Sequence, residues 1–134
     1  MIRIWCVAAA FLLTGLLLPA ASAEDRPVPI IRAIHLDPGD QPYMWLLKGV
    51  PETGSFRSGL VTLAPGKSIG VHNSGINEEI LVPLEGEGEL RFSDREPIVI
   101  KPGMMTYAPA HTEHDVINTG GARLRYIFIT AKVE

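Results

Sequence analysis

Cysteine is almost absent from this chain. The single one, Cys6, sits in an N-terminal segment that reads as removable. The mature protein is therefore expected to have no disulfide, no thiolate nucleophile and no thiolate metal ligand. Clusters of Lys and Arg are also missing, which argues against nucleic acid as a partner. Beyond residue 24 no stretch keeps a helical period for a useful length, and no repeat or low-complexity tract occurs. A membrane-spanning run is lacking too. The apolar stretch Ile4–Leu18 covers 15 residues, against the ~20 that a spanning helix needs.

That stretch follows Met1-Ile2-Arg3, is broken by Pro19, and leads into Ala21-Ser22-Ala23 and then Glu24-Asp25-Arg26-Pro27. A short basic start, an apolar run and small residues before a polar turn make a secretory signal peptide, with cleavage expected after Ala23. Cys6 lies too early for a lipoprotein. Residues 24–29 read as a flexible lead-in and 30–134 as one domain. Removing Arg3 leaves 11 basic against 15 acidic residues, a net charge of −4. About 111 residues remain, enough for one core.

Short β-type segments alternate with Gly/Pro punctuation from Ile30 onward. The expected strands are Ile30–Leu36, Tyr43–Leu47, Arg57–Leu63, Ser68–His72, Glu79–Leu84, Glu87–Phe92, Pro97–Ile100, Met104–Ala108, Glu113–Ile117 and Leu124–Thr130. Asp37-Pro38-Gly39-Asp40, Ala64-Pro65-Gly66, Lys101-Pro102-Gly103 and Asn118-Thr119-Gly120-Gly121 read as turns. Glu85-Gly86 suggests a hairpin between its flanking strands. Strands at about ten-residue spacing predict an all-β antiparallel sandwich or barrel. Ile80–Leu84 is apolar on both faces, as in a strand covered on each side.

Three metal-capable side chains, His72, Glu79 and His114, fall inside these segments. Two imidazoles and one carboxylate can hold a divalent metal and leave positions open. Residues two apart on a strand share a face, so His72 and Ser74 are expected to point the same way. A barrel interior lets separate strands converge on one point. Glycines at 66, 86 and 103 permit the corners between them.

The spacing resembles the two motifs of the cupin superfamily. The first, G-x5-H-x-H-x3,4-E-x6-G, reads here Gly66, His72, Ser74, Glu79, Gly86. The second, G-x5-P-x-G-x2-H-x3-N, reads Gly103, Pro109, His111, His114, Asn118. Every spacing fits, and 16 residues separate the motifs. Ser74 stands where the pattern has a second histidine, and His111 where it has a glycine. The resemblance implies an antiparallel double-stranded β-helix, the jelly-roll barrel. It implies metal positions at His72, Ser74, Glu79 and His114. Because serine is a poor ligand, the expected set is His72, Glu79 and His114, with Fe, Mn, Ni or Zn as the divalent ion. Ser74 would hold a metal-bound water. His111 would orient His114 or move in as a replacement ligand.

Other residues carry plainer readings. Counting back from Gly86 selects Glu79 over Glu78, which reads as a solvated strand residue. His35 precedes a turn and reads as surface. Tyr43, Trp45, Phe92, Tyr107 and Tyr126 are expected to pack in the core, with Tyr107 the one side chain offered for a catalytic role. Asn118 should form a turn and Asp115 should face away from the interior.

Three functions stay open: a metal-dependent enzyme of dioxygenase, isomerase or lyase type; a binder of metal or of a small molecule such as a sugar; and a metal-free scaffold. The resemblance also implies a homodimer, paired through Ile30–Leu36 or Tyr43–Leu47. The leader points to the periplasm or the exterior of a bacterial cell.

Overall fold

The Gly/Pro punctuation divides the described residues into nine strands. The computed structural model describes residues 30–133; the expected leader 1–23, the lead-in 24–29 and Glu134 lie outside it. The strands are β1 Tyr43–Leu47, β2 Phe56–Leu63, β3 His72–Asn73, β4 Asn77–Glu85, β5 Gly88–Phe92, β6 Ile98–Ile100, β7 Thr106–Ala108, β8 Glu113–Ile117 and β9 Leu124–Lys132. Among the described residues there is no helix.

Two antiparallel sheets result, one ordered β1-β2-β9-β4-β7 and the other β3-β8-β5-β6. Strict alternation sends one face of each strand inward. Val61 and Leu63 from β2, Leu81 from β4, Leu90 from β5, Ile100 from β6, Val116 from β8, and Leu124 and Tyr126 from β9 form one buried cluster drawn from both sheets. Burying each such side chain stabilises the fold by about 1.5–3 kcal/mol. The result is an all-β jelly roll.

The outer face of the five-stranded sheet is apolar as well. Leu60 is fully buried there, opposite Met44 and Ile127, and Val82 and Ile80 continue the row beside Ile127 and Ile129. This accounts for the two-faced hydrophobicity of Ile80–Leu84.

Two expectations are corrected. Residues Ile30–Leu36 form no strand. Ile30 and Ile31 are exposed, and the segment is held by a side chain instead of a ladder: Arg125 Nη2 donates to the Leu36 carbonyl at 2.6 Å. Nor do β4 and β5 pair as a hairpin. They belong to different sheets, and the turn between them crosses from one sheet to the other. Gly86 makes the corner with φ +78°, so close to the Arg123–Leu124 backbone that a Cβ would sit 2.2 Å from the Arg123 carbonyl oxygen.

At the closed end of the barrel, fully buried Asn118 satisfies its amide. Its Nδ2 donates to the carbonyls of Leu63 and Ala122, each at 2.8 Å, and its Oδ1 accepts from Gly120 N. Pro83 lies on β4 beyond Leu81, the last residue that β7 pairs. Its missing N–H therefore leaves that ladder intact.

Candidate metal centre

Three strands bring His72, Glu79 and His114 together. On β3, His72 lies directly opposite His114 of β8. Glu79 points inward from β4, in the other sheet. One ligand atom from each residue lies within 4.8 Å of the other two. The imidazole centroids of His72 and His114 are 4.4 Å apart, and His114 Nε2 lies 2.8 Å from Glu79 Oε2. Glu79 and His114 are buried and His72 is half-buried.

Backbone carbonyls orient both rings. His72 Nδ1 is 3.0 Å from the Gly70 carbonyl, and His114 Nδ1 is 3.2 Å from the Thr112 carbonyl. A carbonyl only accepts, so each ring donates through Nδ1 and presents the Nε2 lone pair to the cluster. Ligands on adjacent positions of one ion, with bonds of about 2.0–2.2 Å, sit about 3 Å apart. The His114–Glu79 separation matches that spacing. Donor chemistry, orientation and distance therefore fit a divalent ion, held through His72 Nε2, His114 Nε2 and a Glu79 oxygen.

The electrostatics agree. Burial works against protonation of His114, but the hydrogen bond and charge of Glu79 outweigh it, with help from the Thr112 carbonyl and Asp115, and its pKa is raised. The buried pair thus attracts positive charge, whether proton or metal.

Ser74 turns its hydroxyl to the β7–β8 turn. Oγ donates to the Pro109 carbonyl at 3.1 Å and accepts from Thr112 N at 3.0 Å. It thereby fixes the loop that leads to His114. His111 takes the conformation of the glycine it replaces, with φ +60°. Its N–H donates to the Gly75 carbonyl at 2.6 Å and the residue is exposed.

Tyr107 does not face the cluster. It alternates with the buried Thr106 and Ala108 and stands on the outer face, where Oη donates to Glu78 Oε1 at 2.6 Å. Asp115 also faces outward and accepts from Ser68 Oγ at 2.7 and 2.6 Å. His35 is exposed.

Two groups near the cluster escaped the sequence reading as site residues. Tyr43, Trp45 and Phe128 form an aromatic group on the inner face of β1 and β9, with centroids 5.2–6.0 Å apart. Gly59 makes room for it, since a Cβ there would lie 2.5 Å from the Phe128 ring. Tyr43 is pushed up to about 12 by partial burial and by the negative charge of Glu79. The second group is basic and surrounds Arg57; both groups lie inward by alternation from Val61, which is the signal that could have found them.

Comparison with known proteins bears on the fold and the family. The family model described as "Cupin domain" matches residues 59–130. No curated protein sequence matches significantly. Among solved structures, the cupin domain of Schizosaccharomyces pombe Cnp3 is similar at 22% identity and TM-score 0.60, over 68% of this chain and 60% of that one. A Thermus thermophilus protein, TT1209, is similar at 26% identity and TM-score 0.59, over 67% and 81% of the two chains. A protein from Thermotoga maritima described as a "predicted oxalate decarboxylase" is similar at 26% identity and TM-score 0.54, over 57% and 66%. The chain belongs to the cupin family.

Proposed function

We propose that this protein is an exported, metal-dependent enzyme acting on a small molecule, with Fe, Mn, Ni or Zn held by His72, Glu79 and His114. The observation that carries the reading is the convergence of two carbonyl-oriented imidazoles on a buried carboxylate, with the ligand atoms within 4.8 Å. When bound, the ion supplies a Lewis acid with coordination positions left for substrate. Dioxygenase, isomerase and lyase chemistry all use such a centre. The decarboxylase description of the Thermotoga maritima relative favours the lyase type.

The protein's own groups do the rest. The Gly70 and Thr112 carbonyls hold the rings, and Ser74 fixes the loop before His114. Tyr43, Trp45 and Phe128 provide an apolar wall at the open mouth of the barrel, with Tyr43 and Trp45 still reached by solvent. Export rests on the leader-like residues 1–23. A homodimer is supported by the edge of β1, which is unpaired among the described residues, and by the apolar outer face at Ile80, Val82, Ile127 and Ile129.

Elemental analysis of untagged protein, purified without chelator, tests the centre. Close to one divalent ion per chain is expected. A metal-free preparation that also takes up none of the four ions on reconstitution would overturn the reading.

A further inference from the structure

A cavity of about 420 Å³ opens at the end of the barrel where β4 begins and β9 ends. Lys48, Arg57, Asn77, Thr130 and Lys132 line it, with loop residues between β1 and β2. Register ties it to the metal centre. Thr130 is directly opposite Glu79, Arg57 is directly opposite Thr130, and Lys132 is opposite Asn77. Opposed residues of an antiparallel pair share a face, and so do residues two apart on one strand. Asn77, Glu79, Thr130, Arg57 and Lys132 therefore all project from the inner face. Arg57 sits two strands from Glu79, about 10 Å across the sheet.

The charges in this cavity are of one sign. Among the described residues, three cations line it and no carboxylate does. The cavity that His114 helps to line is mixed by contrast: Arg91, Glu113 and Asp115 all line it, and Arg91 is paired with Glu89 at 2.8 Å. Glu52, the acid of the β1–β2 loop, does not line the cavity; its Oε2 accepts from Lys48 N at 2.8 Å and lies 3.3 Å from Arg32, so it offsets part of the charge at Lys48 and leaves Arg57 and Lys132 as the main cations. Arg57 itself is seated across Gly49. A Cβ at Gly49 would lie 3.2–3.3 Å from Arg57 Cγ and Nε, and φ there is +87°. That loop glycine gives the arginine stem a fixed bed.

We infer that Arg57, with Lys48 and Lys132, forms an anion subsite beside the metal centre, and that the small molecule carries a carboxylate or phosphate group. The inference rests on the metal-centre reading for the second half of that statement. A guanidinium offers paired donors matched to either oxyanion, and the two lysines add charge. Thr130 and Asn77, lying between the subsite and the cluster, offer neutral hydrogen bonds along the way.

Calorimetric titration of the full chain with succinate and with inorganic phosphate tests this, on metal-loaded and chelator-stripped protein at low ionic strength. Saturable binding of at least one anion to both forms is expected, weakened at least tenfold by Arg57→Gln and by raised salt. The tighter of the two probes identifies the oxyanion. Metal content and Tm of the variant should match the parent, which a merely structural arginine would not allow. Lys132→Gln, at the exposed end of β9, gives a second variant that keeps the fold and should weaken binding severalfold. No saturable binding of either probe, or equal binding by both variants, would overturn the subsite. The metal analysis on the same samples reports separately on the centre, so the two failures are distinguishable.

Discussion

His114 Nε2 and Glu79 Oε2 meet at 2.8 Å across the barrel, one from each sheet. The contact joins the two layers at the point where the ligand atoms converge. Replacing His114 with Ala leaves His72 and Glu79 as a two-point site. Metal affinity should fall more than ~100-fold, since even loss of an outer partner of a ligand costs 10–100-fold. Elemental analysis after dialysis measures it, and unchanged metal content would refute the ligand assignment.

Opposite pH dependences are expected with and without metal. The raised pKa of His114 means that the folded, metal-free protein binds its proton more tightly than an ordinary imidazole of pKa ~6.5 does. The resulting stabilisation is complete below ~6.5 and is lost as pH rises through the higher folded-state value. The difference in Tm between the stripped parent and stripped His114→Gln should shrink accordingly on going from pH 6 to pH 9. Metal must displace that same proton, so metal is retained at high pH and released as pH falls through the window. A difference in Tm that grows with pH would contradict the assignment.

Gly86 and Gly103 both have positive φ, +78° and +87°, but only Gly86 is crowded by backbone. Gly86→Ala combines strain with a clash and should destabilise by about 3 kcal/mol, a drop in Tm of more than ~10 °C. Gly103→Ala meets nothing within 4 Å and should cost only about 1–2 kcal/mol, from backbone strain alone. Thermal unfolding of both variants gives the comparison. Equal losses would show that the Arg123 carbonyl contact is unimportant.

His111 holds φ +60° at an exposed turn. Glycine adopts that conformation without strain, so His111→Gly should stabilise by up to ~1 kcal/mol, offset in part by the freer unfolded chain. Metal content should not change. A fall in metal content would restore His111 as a ligand.

Much of this was legible from punctuation and spacing. Pro65-Gly66 and Pro102-Gly103 mark corners because few other residues accept those backbone geometries, and Asn118 marks one through its side-chain amide. The intervals between His72, Glu79 and His114 reflect strand lengths that place them on one interior. Pairing partners were less legible. Glu85-Gly86 looks the same in sequence whether its strands pair or part, and only the close approach to Arg123 decides. Ile30–Leu36 has strand composition but no partner. Tyr107 is turned outward by a period-two pattern, Thr106 and Ala108 inward, that the sequence did contain. Arg57 follows the same rule from Val61 through Gly59, although it is exposed at the strand's start.

His72 belongs to a strand of two residues that pairs along one side only. Edge segments with so few ladder bonds open at small free energy while the rest of a domain stays closed. Glu79 and His114, on longer strands paired on both sides, form the permanent jaw of the site; His72 is its hinged finger. Were an ion held there, its release would ask only for local opening of this edge, together with the flanking bonds from Ile69 N to the Val116 carbonyl and from Ser74 N to the Thr112 carbonyl, and not for global unfolding.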